Sequence, residues 1–177
     1  MLAATAILLL LAMMLSTGLQ MTLDCYQKIT AQSEVELLLS TAMDALTDDL
    51  RYAWNVKGGG NATNATVNFT YSSDSYGDNT QLDLDGNYQI IANDVMQVLS
   101  TGAYGAEGAD GKRAYQVTEM KITPKGDKET LAESKEVTFE IHLKVEATAD
   151  PSINAEATVN VRCLNPPKEK TTQAGGS

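Results

Sequence analysis

Two hydrophobic rhythms divide the chain. Met1 to Leu15 reads MLAATAILLLLAMML, apolar at every position except Thr5. STGLQMTL follows, still uncharged, and the first ionisable side chain is Asp24. A helix of roughly 20 such residues, rising ~1.5 Å each, spans a bilayer core of ~30 Å. From Asp24 onward the apolar positions narrow to one face. Leu39, Met43, Leu46, Leu50 and Trp54 recur at spacings of three or four, the stripe of an amphipathic helix with one buried side. Asp44, Asp48, Asp49 and Arg51 fall largely off that stripe. No Gly or Pro interrupts residues 24–56, and Lys57 with Gly58-Gly59-Gly60 predicts the stop. The two segments predict one helix of about 55 residues, roughly 80 Å long.

Beyond the glycines the period changes to two. Val67, Phe69 and Tyr71 alternate with Asn68 and Thr70, and Leu82 and Leu84 alternate with Asp83 and Asp85. Asp85-Gly86 predicts a turn, with Asn87 to Ala92 as the returning strand. Asp94 to Ser100 fits a short strand or a helical turn equally, and Gly102 to Lys112 is glycine-rich loop. Ala114 to Ile122 predicts a strand ended by Pro124-Lys125-Gly126-Asp127. In the clearest strand, Glu136 to Ala147, one face holds Val137, Phe139, Ile141, Leu143 and Val145. The other face holds Thr138, Glu140, His142, Lys144 and Glu146. Such alternation predicts one buried and one wet face. Ala155 to Cys163 repeats the pattern and pairs with the preceding strand across Asp150-Pro151-Ser152. Pro166-Pro167 and a polar tail close the chain.

The expected fold class is α+β: a long N-terminal helix packed on a small antiparallel sheet of five to seven strands. The segments are 1–23, the all-round apolar half of the helix; 24–56, its amphipathic half; 57–167, the β domain; and 168–177, a disordered tail. Leu39, Met43, Leu46, Leu50 and Trp54 form the only apolar helix face available to cover the sheet.

Composition narrows the chemistry. Of 177 residues, 23 are acidic and 13 basic, for a net charge of −10. Such a chain does not bind nucleic acid by neutralising phosphates, and anionic headgroups repel it, so membrane attachment is hydrophobic. One His and two Cys supply no zinc cluster and no evident nucleophile–base pair. No enzyme activity and no cofactor is expected. His142 reads as a solvated strand residue. Asp83 to Asn87 reads as a hairpin turn ahead of a calcium loop, whose carboxylates need closer spacing than Asp78 allows. Asn61, Asn64 and Asn68 open three N-x-Thr sequons, common by chance in such loops. Cys25 and Cys163 both fall outside the apolar segment, where a bridge is allowed. They pair only if the last strand ends near the base of the helix; two separate thiols is the other reading.

The apolar segment itself admits four readings. A cleaved signal peptide lacks its basic start, although Ser16-Thr17-Gly18 offers a poor cleavage site. A lipoprotein signal ending at Cys25 is opposed by Asp24 directly before it. A buried core helix does not suit an all-round apolar run at a terminus. A retained membrane helix alone predicts continuity with the amphipathic half.

This order of parts resembles the type IV pilin and pseudopilin family, in which a helix leads from membrane or filament core into a small antiparallel sheet. Met1-Leu2-Ala3-Ala4-Thr5-Ala6-Ile7-Leu8 looks like the stretch that follows the family's Gly, aromatic residue and Glu. Those three are absent here, which implies a start upstream of Met1 or a protein not processed as a prepilin. Ser40-Thr41, Asp49 to Ala53 and Thr158 to Asn165 also look similar to pilin-like proteins of anaerobic Gram-positive bacteria. The resemblance implies a single-pass cell-membrane protein with its C-terminal domain outside. Leu2, Ile7, Leu8, Leu9, Leu10, Leu11 and Leu15 would line the membrane or filament core. The implied partners are other pilin-like subunits, the membrane and, given an upstream start, a prepilin peptidase. The alternative is a β-rich binding module, secreted or anchored by one helix.

Overall fold

The computed structural model describes residues 2–58, 68–126, 131, 134 and 136–164, and the side chains among these from residue 11 onward. One helix, α1 (Leu2–Arg51), carries three antiparallel sheets on its C-terminal half. Strands β1 (Trp54–Gly58), β2 (Phe69–Ser73) and β3 (Gly77–Thr80) form the first. Strands β4 (Leu82–Leu84), β5 (Ile90–Ala92) and β6 (Met96–Gln97) form the second. The third and largest joins β7 (Tyr115–Gly126), β8 (Val137–Ala147) and β9 (Asn154–Arg162) in that order. A short 3-10 turn, Thr101–Tyr104, lies between the second and third sheets.

The single helix and antiparallel pairing are as the patterns predict, but the one sheet of five to seven strands is not: the described residues form nine strands in three sheets, because short strands separated by turns pair locally. The helix ends five residues early, however. Tyr52 and Ala53 donate back to Asp49 and Leu50 three residues earlier, tightening the last turn. Trp54 then opens β1, half-exposed, so it leaves the helix face where the sequence put it. The segment Trp54-Asn55-Val56 is aromatic and β-branched, a better strand than helix. Its pairing with β2 carries a register shift between Trp54 and Lys57, where Asn55 takes a positive φ of 54°, an irregularity Asn accommodates. Basic Lys57 and Gly58 lie in the strand rather than capping the helix.

Two other boundaries move. β7 runs through Pro124 instead of stopping there. It is an edge strand whose one strand neighbour is β8, and proline's missing N–H is tolerated on an open edge. The Asp94–Ser100 segment holds the two-residue β6, reached through Asn93 and Asp94, both at positive φ. Consecutive left-handed residues are what a tight hairpin needs. The sequons at Asn61 and Asn64, Val67, and the tail 168–177 lie outside the described residues; Asn68 is exposed.

Val35, Leu38, Leu39, Ala42, Met43, Leu46 and Leu50 of α1 share one core with Phe69, Tyr71, Leu82, Ile90, Phe139, Ile141 and Leu143; the helix packs chiefly on β8 and β9, and β4 on β7. The inward residues of β8 are buried at every alternate position, and its polar face is half-buried rather than wet, because neighbours flank it on both edges. The sheet's direction on the helix is fixed at both ends. Gln32 donates to the carbonyl of Asn154, and the Arg51 carbonyl accepts the N–H of Leu164. α1 and β9 therefore run the same way.

Candidate functional site

The most unusual surface is the helix itself. Every described residue from Leu11 to Thr30 is exposed, and the first buried position is Val35. Leu11, Met13, Met14, Leu15, Leu19, Met21, Leu23, Tyr26 and Ile29 stand in the open. This is roughly 30 Å of helix with no cover from the other described residues, far more than the scattered apolar residues of an ordinary surface. Its threonine hydroxyls are already satisfied. The hydroxyls of Thr17, Thr22, Thr30 and Thr41 donate to the carbonyls of Met13, Gly18, Tyr26 and Leu37, at 2.8–2.9 Å. A threonine so bonded presents its methyl group outward and needs no water.

Leu11 and Leu15 sit in this exposed stretch, whereas Leu2, Ile7, Leu8, Leu9 and Leu10 lie outside the residues whose side chains are described. Among the described residues no helix is long and apolar enough to cross a membrane. Leu39, Met43, Leu46 and Leu50 are buried against the sheets as predicted. Val35, Leu38 and Ala42 join them; their three- and four-residue spacing from the predicted stripe was the available signal.

The cysteine bridge does not form. Cys163 follows β9 at the far end of the helix, its thiol donating to the Ala53 carbonyl at 2.7 Å. Cys25 is exposed more than seven helical turns below, about 39 Å away. A bridge needs Cα atoms within roughly 7 Å, and neither cysteine is in a disulfide.

Sequence reasoning missed Asp49. Its carboxylate accepts hydrogen bonds from the hydroxyls of Tyr71 and Ser73, tying β2 to the last turn of α1. The signal was an acid near a helix C-terminus, where the helix dipole disfavours it. Burial, then the Asp49 charge and hydrogen bond, push the Tyr71 phenol far above its ordinary value. A cleft of about 270 Å³ opens beside it, lined by Asp48, Tyr52, Asp74 and Tyr76 among others. A second, of about 420 Å³, lies between the 106–114 loop and Thr148-Ala149, across the Arg113–Glu107 ion pair at 3.1 Å. Both are shallow and open.

The remaining candidates have structural partners. His142 meets Thr158 through Nδ1 at 3.0 Å and Glu119 through Nε2 at 3.8 Å. Asp85 accepts the N–H groups of Asn87 and Gln89, and Asp83 that of Leu84, so these carboxylates hold the β4–β5 hairpin. Among the described residues no group of three His, Cys, Asp or Glu could hold a metal ion. Compared with protein-family models, curated proteins and solved structures, the chain matches none.

Proposed function

We propose that this chain is a structural subunit of a type IV pilus-like or pseudopilus filament, assembled through its apolar N-terminal helix. One observation carries the reading: a 50-residue helix bears its folded head on one end and leaves Leu11 to Thr30 uncovered. A surface apolar on every side needs more than one neighbour, and a bundle of like helices supplies them. The same surface suits a bilayer, and with Met1 to Leu10 it makes a single-pass anchor holding the head outside the cell membrane. Prepilin peptidase is the implied processing partner, given an upstream start. No chemistry is assigned to the head.

The test is mass spectrometry of the N-terminal peptide from native membranes, with electron microscopy of sheared cell-surface material. An N-methylated aromatic residue and a Glu just ahead of Met1, together with filaments containing the chain, support the reading. A mature terminus near Gly18 or beyond sinks it. The exposed pair Val95 and Met96, on the β5–β6 hairpin, favours the second reading, a β-rich binding module that is secreted or anchored by one helix.

A further inference from the structure

Lys28 is the only cation in the first 50 residues. It stands two turns below Val35, on the face of α1 that carries the sheets; Met21 and Met14 continue that line downward at steps of seven. The opposite face carries a second line, apolar except for one serine. Leu15, Leu19, Leu23, Tyr26, Ile29, Ser33 and Leu37 follow at steps of three or four, all exposed. Leu37 is 61% exposed although the head covers the other side of the helix at its level. The line ends at exposed Asp44, two turns above Leu37. Among the described residues Asp44 makes no ion pair or hydrogen bond; Lys28 makes no direct salt bridge, and its charge reaches Asp150 of its own head, whose carboxyl is lowered by hydrogen bonds from Ser152 and, less, by Lys28.

Steric bulk restricts how such faces meet. The head occupies the front of α1 from Val35 to Leu50, about 23 Å of helix. A second helix reaches the front face only below the head, so its top must slide down by about that length. The charges require the same displacement. Lys28 and Asp44 differ by about 16 residues, or roughly 24 Å. That offset also sets Met21 opposite Leu37 and Met14 opposite Thr30, whose hydroxyl is bonded within its own helix. Flexible methionines suit such a contact.

We propose that the front of α1 below the head packs in parallel on the back of α1 of a second copy displaced by roughly 24 Å, with Lys28 of the upper copy paired to Asp44 of the lower. The pairing rests on the filament reading and supplies its axial repeat. The apolar line fixes the face and the ion pair fixes the register, since charges select alignment more than they add affinity.

The experiment uses the full chain expressed in its own membrane. Lys28→Glu and Asp44→Lys are made singly and together, with sedimentable assemblies as the readout. Both positions are exposed, and unchanged melting temperatures confirm that the heads fold. Each single change should cut assembly about tenfold and the double change restore it to within about threefold. In a Cys25→Ser background, Met21→Cys with Leu37→Cys should give a disulfide-linked ladder. Assembling wild type with indifferent charge swaps and no ladder overturns this inference alone. A Leu37→Cys cross-link to a different protein also overturns it. Wild type that stays monomeric in the membrane overturns the filament reading, and this pairing with it.

Discussion

At the residue scale, two tyrosines set how the head responds to alkali. Burial, then Asp49, raises Tyr71 far above its ordinary value of 10.0. Tyr104, whose hydroxyl accepts the Ile90 N–H at 2.8 Å, is pushed up to about 12, chiefly by burial. Both groups bind their protons more tightly folded than unfolded. Their stabilisation is therefore complete below pH 10 and lost as pH rises through the folded values. Stability should fall above pH 10 by about 1.4 kcal/mol per pH unit for each tyrosine. Urea titrations between pH 9 and 11 should show Tyr71→Phe with an average slope shallower by about half that amount, because the unfolded phenol is only about half ionised at pH 10; an unchanged slope would mean the phenol titrates freely. Neighbouring helix positions differ as sharply in packing. Leu46 is fully buried and Leu37 mostly exposed. Leu46→Ala should cost about 2–5 kcal/mol, while Leu37→Ala in the monomer stays within about 0.5 kcal/mol. Urea melts in detergent measure both.

At the element scale, α1 is two objects in one. Its upper part is held by burial of Val35, Leu38, Leu39, Ala42, Met43, Leu46 and Leu50, each worth roughly 1–3 kcal/mol according to size. Its lower part has only backbone bonds and local propensity, which sustain an isolated helix poorly in water. Trypsin should report the contrast, because Lys28 is the only basic residue before Arg51. In detergent-solubilised monomer, cleavage after Lys28 should precede any cut within the sheets and leave a resistant head starting at Ile29. Gel bands and intact mass follow the order of cuts. Protection of Lys28 in assembled material would agree with its pairing to Asp44. The large sheet protects its edges differently. β7 is interrupted by a register shift between Val117 and Glu119 and by Pro124, and its Val117 N–H is taken by the Tyr88 carbonyl. α1 is tied to β9 near both of its ends, at Asn154 and at Leu164 just beyond Arg162. Both are ways of blunting an edge that would otherwise recruit another strand.

At the scale of the whole molecule, the parallel course of α1 and β9 decides the fate of the cysteines. Cys163 lies at the top of the head and Cys25 on the bare helix below it. A maleimide reagent should label Cys25 quickly and Cys163 slowly, and a non-reducing gel should show no internal bridge. Mobility that changes on reduction in the monomer would contradict this geometry. Local pattern determined much of this protein without further help. The helix, the β8–β9 hairpin and the inward residues of β8 follow from periods of 3.6 and 2, because a side chain's direction is set by its own backbone. The stripe at Leu39, Met43, Leu46 and Leu50 was legible for the same reason. Trp54 was not. Its place depends on whether the chain after Arg51 gains more by continuing the helix or by pairing with β2, some fifteen residues further on, and periodicity does not weigh distant partners. The hydrogen bonds from Tyr71 and Ser73 to Asp49 and the separation of Cys25 from Cys163 are likewise products of tertiary packing. They depend on which end of each strand meets which end of the helix, and that choice is made only when the sheets and the helix pack into one core.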